Sequence, residues 1–88
     1  MDVSDSKELR RSILQVTLDK IDGRENGHWF VPGFLGEFDL ERSDDNLRRV
    51  QREIQYLAEK QMIKAVPGAG TYAVTGITAL GRDYLDAH

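Results

Sequence analysis

The sequence predicts a small α+β domain of three or four helices and a C-terminal β-hairpin. Three observations carry that prediction. Two long stretches, 5–22 and 43–63, repeat apolar residues at the three- and four-residue spacing of an amphipathic helix. Two short β-prone runs, "MIKAV" and "TYAVTGI", are separated by the turn-forming "PGAG". The chain has 88 residues, enough for a single domain spanning 1–88 that buries roughly two-thirds or less of its unfolded surface.

The first helix is expected from Asp5 to Asp22. Asp5 and Glu8 have capping-box spacing, with Asp in place of Ser or Thr. Leu9, Ile13 and Val16 form a core stripe. Leu14, Leu18 and Ile21 form a second stripe, about 120–140° round the axis at 100° per residue. An apolar arc this wide packs on two sides. Either the rest of the domain covers both stripes, or the second is a homodimer surface.

"DGRENG" stops this helix with two glycines and an Asn-Gly turn dipeptide. "HWFV" is a short β-type run at most. Phe34, Leu35 and Phe38 are then spaced like the buried face of a short helix, and Pro32 suits its first turn. The long helix follows. Ser43 is the expected N-cap, and Asp44 and Asp45 favour the positive end of the helix dipole. Leu47, Val50, Ile54, Leu57 and Ala58 form its apolar stripe, which places Arg48, Arg49, Arg52 and Tyr56 opposite, with Gln55 at the edge. The hairpin joins Ile63–Val66 to Tyr72–Val74. A last helix begins near its N-cap Thr78 and turns Leu80, Tyr84 and Leu85 inward. The expected core is Leu9, Ile13, Val16, Leu47, Val50, Ile54, Leu57, Ile63 and Leu85.

The net charge is −3, yet its distribution is uneven. Residues 47–73 carry five basic side chains (Arg48, Arg49, Arg52, Lys60, Lys64) and two acidic ones (Glu53, Glu59), a local +3. Such a concentration points to an anionic partner. There is no cysteine, which removes disulfides, thiolate metal sites and a cysteine nucleophile. No apolar run approaches the ~20 residues of a membrane span, and the N-terminus is polar. The expectation is a soluble, cytoplasmic protein.

"LRRVQREIQYLAEKQMI", "KAVPGAGTYAV" and "ITALGRDYL" occur in that order. From Val31 to Leu85 the chain resembles the winged helix-turn-helix class: a recognition helix ending in an L-x-x-x-x-[ML]-I pattern, a wing, and an LT-x-x-G-x-x-[YF]-L close. With "ELRRSILQVTLDKI" in front, it is also similar to short prophage-encoded winged-helix proteins of unassigned function. The class contains DNA readers and pure protein-binding modules.

The resemblance implies that the recognition helix enters the major groove while the wing touches phosphate. By position, Arg48, Arg49, Arg52, Gln55 and Tyr56 would contact DNA from the helix. Lys64, Gly68, Gly70 and Thr71 would do so from the wing. Arginine suits guanine and glutamine suits adenine. The function expected is a small transcriptional or phage-derived regulator on double-stranded DNA. The alternative is a winged-helix module that binds protein and not DNA, using the first helix or Trp29.

The bland reading of the arginines is a solvated face, with Asp44–Arg48 and Asp45–Arg49 as i,i+4 pairs of about 0.2–0.5 kcal/mol each. Asp44 and Asp45 also sit at the helix end that goes deepest into a groove, where carboxylates must stay clear of phosphate. His28 lacks partnering ligands for a metal, and its expected place is partly buried beside the hairpin; Trp29 is expected in the core. "PGAG" lacks the spacing of a phosphate loop, and no nucleophile signature is present. The reading is therefore of no enzyme, cofactor or metal.

Overall fold

The structure is a computed structural model that describes residues 5–24, 27–68 and 71–87, with Thr71 described by its backbone alone. Its described elements are α1 (Ser6–Val16), a π-helical turn (Thr17–Ile21), β1 (Trp29–Phe30), α2 (Val31–Glu37), α3 (Asp44–Glu59), β2 (Ile63–Gly68), β3 (Thr71–Ile77) and α4 (Ala79–Ala87). The strands form one antiparallel sheet in the order β1-β3-β2. A small α+β domain is thus what the sequence folds into.

Local chemistry sets the boundaries. The Asp5 carboxylate accepts from the Lys7 amide at 2.7 Å and starts α1. Buried Thr17 donates its hydroxyl to the Ile13 carbonyl at 2.7 Å. That back-bond competes with the helix ladder, and the helix widens there: the Asp22 amide donates five residues back, to Thr17, at 2.8 Å. The expected single helix from Asp5 to Asp22 therefore has two geometries. Pro32 sits in the first turn of α2, where its missing N–H costs nothing.

Ser43 caps α3 by accepting from the Asn46 amide at 3.2 Å. Both α2 and α3 end with a residue in the left-handed region, Asp39 (φ 55) and Gln61 (φ 60). In each case the next amide reaches back to the third-last helical carbonyl: Leu40 to Leu35 at 2.9 Å and Met62 to Leu57 at 2.9 Å. Thr78 caps α4, its hydroxyl accepting from the Gly81 amide at 3.2 Å and donating to the Gln61 carbonyl at 2.5 Å.

The core gathers Leu9, Ile13, Leu14, Val16 and Ile21 from the first helical stretch and Val31, Phe34, Leu35 and Phe38 from the α2 region. Val50, Ile54 and Leu57 of α3 join them, with Ile63, Val74 and Ile77 of the sheet. Trp29 is half-buried, its ring edge-on to Phe34 at 5.4 Å. Leu47 and Leu85, expected in the core, are half-buried at its margin.

One open alternative is decided here and one expectation is overturned. Leu14 and Ile21 are fully buried and Leu18 packs against the core: α1 lies on α3 and α4, and the π turn lies on β3. The rest of the domain therefore covers the second stripe, the first of its two readings, and nothing supports a homodimer through it. Leu80 is 54% exposed, so only Tyr84 and Leu85 of the expected α4 trio lean inward.

Lys64 and Ala65 flank an irregularity in the β2–β3 register. Farther along, Pro67 stands opposite Tyr72. Asp22, just after the π turn, fastens the other side of the sheet. Its carboxylate accepts from the Ile77 amide at 3.1 Å and from Arg82 at 2.6 Å. Gly76 allows this approach, since a Cβ there would lie 2.8 Å from the Asp22 oxygen. The Ile77 bond, with help from Arg82 and Lys64, holds the Asp22 carboxyl below its ordinary value against the opposing effect of burial.

Candidate nucleic-acid interface

The site is built on α3. Its core stripe fixes the helix rotation: Val50, Ile54 and Leu57 point inward. One flank is then covered by α1. Arg10 of α1 forms an ion pair with Glu53, whose side chain is buried. The Arg10 guanidinium also lies 3.9 Å from the centre of the Tyr56 ring, and Lys60 approaches the same ring at 5.7 Å. The hydrogen bond to Glu53 raises the Arg10 pKa further above its already high ordinary value.

The face left open carries Arg48, Gln51, Arg52 and Gln55. They line one shallow depression of about 220 Å³. At about 100° per residue these four side chains fall within an arc of about 100°. Arg48, Arg52 and Gln55 are exposed. Among the described residues, Arg48 leans on the acids before it, 3.6 Å from the Asp45 carboxylate and 3.4 Å from the Asp44 carbonyl. This replaces the expected side-chain pairing of Arg48 with Asp44. Gln55 makes a long contact of 3.4 Å to Glu59.

The structure thus brings together Arg48, Arg52 and Gln55 from the expected set and adds Gln51. The signal for Gln51 was in the sequence: it stands three after Arg48 and four before Gln55, at the border of the apolar stripe. Arg49 is half-buried and outside the depression. Tyr56 is half-buried against the core, on the flank that Arg10 covers, which corrects its placement on the open face. Lys64 is exposed, and its stem shares the space over Gly76 with Asp22. Gly68 is exposed at the end of β2, opposite the Thr71 backbone; Gly70 and the Thr71 side chain lie outside the described residues. His28 is exposed, contrary to the expected partial burial, with its ring edge-on to Phe30 at 5.6 Å.

No helix among the described residues is long and apolar enough to cross a membrane. No family model, curated protein or solved structure matches the chain.

Proposed function

We propose that this chain is a winged helix-turn-helix domain that binds double-stranded DNA through the open face of α3, as a small cytoplasmic regulator of phage-derived type. The observation that carries the reading is the convergence of Arg48, Gln51, Arg52 and Gln55 on one shallow depression facing away from the core. Arginine and glutamine are the side chains whose donors and acceptors match guanine and adenine edges in the major groove. The element order supports it: a helix, a short strand, two helices joined by a turn, and a hairpin whose second strand pairs with the first. In this geometry the β2–β3 hairpin lies beside the duplex, and its backbone near Gly68 meets phosphate.

The test is a salt-series titration of the full chain on mixed-sequence duplex DNA. Binding at about 50 mM salt should weaken linearly on a log–log scale, by about 0.9 per phosphate contact. Absence of any binding at that salt removes the reading.

One observation favours a second reading, a protein-binding module of the same fold. Arg48 is folded back onto Asp45 and the Asp44 carbonyl, and both acids stand at the end of α3 that would enter a groove. If the DNA titration is flat, the same face becomes a protein-docking surface.

A further inference from the structure

The outer face of the sheet carries a second concavity, and it shares no side chain with the α3 depression. Its origin is a size mismatch across three strands. Ala73 on the central strand pairs with Phe30 of β1 on one side and Val66 of β2 on the other. Cross-strand partners project to the same face. A methyl group therefore sits between two large side chains, and a trough forms over it. Ala73 is buried at its floor, while Phe30 and Val66 are 43% and 53% exposed. The cavity measures about 460 Å³, with Pro67 among its walls and Arg24 and His28 at its rim. Small-molecule sites span roughly 300–1,000 Å³ and combine apolar walls with a few polar groups.

The polar groups settle the ligand's chemistry. No carboxylate lines the cavity among the described residues. Thr75, which also borders it, spends its hydroxyl proton on the Lys64 carbonyl at 3.2 Å. Arg24 gives one nitrogen to the Asp19 carbonyl at 3.2 Å, and a guanidinium has five N–H donors. In a chain of net negative charge, this trough has a cationic donor at its rim and an apolar floor.

We propose that the trough over Ala73 binds a small free carboxylic acid with an apolar aromatic or short alkyl body. The body lies on Ala73 between Phe30 and Val66, and the carboxylate accepts from Arg24, with His28 beside it. Nothing in this assignment rests on the DNA reading.

The probe is 3-phenylpropionate, with 3-phenylpropan-1-ol as its neutral counterpart, titrated into the isotope-labelled full chain and followed by amide shifts. The acid should move the amides of His28–Phe30, Val66, Gly68 and Ala73–Thr75 at millimolar concentration and leave those of α3 in place. The alcohol should bind roughly tenfold more weakly, as loss of a charge-assisted hydrogen bond does. Arg24→Gln should produce a loss of the same size for the acid alone, and Ala73→Leu should fill the trough and abolish the shifts. The assignment is overturned if the acid moves none of these amides, if acid and alcohol bind equally, or if Arg24→Gln leaves the acid's affinity unchanged. Arg24 is exposed, so this variant keeps the test decisive even where Ala73→Leu disturbs the sheet.

Discussion

Arg10 and Glu53 lie 43 positions apart and join α1 to α3 through an ion pair in which the Glu53 side chain is only 8% exposed. Burying a charge without a partner is costly, so the pair behaves as a lock on the rotation of α3. Arg10→Ala removes the lock and leaves Glu53 uncompensated. The expected cost is about 2–3 kcal/mol in urea unfolding, short of the ~3–5 kcal/mol of a fully buried pair because the guanidinium keeps some water contact. The double variant Arg10→Met, Glu53→Leu should recover most of that loss. An Arg10→Ala protein as stable as the parent would show that Glu53 reaches water.

Asp22 makes the fold sensitive to acid. Its carboxyl titrates below the ordinary value of 3.8, first because the Ile77 amide donates to it. A depressed folded value means that the carboxylate's contribution is fully present above 3.8 and is lost as pH falls below it through the folded value. Asp22→Asn keeps an acceptor for the amide but carries no charge. Thermal melts across the acid range should show the parent losing its margin over Asp22→Asn as pH falls; parallel curves would exclude Asp22 as the cause.

Gln61 occupies a left-handed conformation that costs a non-glycine residue roughly 1–2 kcal/mol. Its backbone amide and carbonyl are both engaged, the latter by Thr78, so only the side chain is ill suited. Gln61→Gly should stabilise the domain by about 0.5–1 kcal/mol after the entropy of glycine in the unfolded chain is subtracted. Asp39→Gly should gain less, since Asp tolerates this region better. A lower melting temperature for Gln61→Gly would contradict the cap geometry.

The DNA reading predicts a gradient of effects across α3. Arg52→Ala and Gln51→Ala should each cost about 1–3 kcal/mol on a preferred site if they meet bases. Tyr56→Phe should be silent, because that ring serves Arg10. Lys64→Ala should weaken all duplexes evenly or not at all, its stem being drawn toward Asp22. Anisotropy titrations on two unrelated duplexes would separate these cases, and an Arg52→Ala protein that binds like the parent would remove α3 as the reader.

Much of this was legible in the residues. Ser43, the Val50–Ile54–Leu57 stripe and the "PGAG" turn gave α3 and the hairpin within a few positions, because caps, period and glycine act locally. The side of α3 that stays open was legible only in part: the stripe places Arg48, Arg52 and Gln55 there, but does not show the covered flank. Opposite-the-core reasoning places Tyr56 in solvent, but α1 approaches from that flank and Arg10 claims both Tyr56 and Glu53. A glutamate in a charged run reads as solvated, and nothing near it in sequence announces its partner 43 residues away. Ile21 looked like part of a spare surface for the same reason: β3, on which its turn lies, comes some fifty residues later.

The sheet's borders have a consequence for behaviour in concentrated solution. One border, β1, is two residues long. The other, β2, has an irregular pairing near its start and a proline, which lacks a backbone donor, near its end. Neither offers the long flat row of unpaired amides and carbonyls on which a foreign strand can be templated. A chain with three strands and a thin core would otherwise be exposed to fibrous assembly; here the backbone itself discourages it.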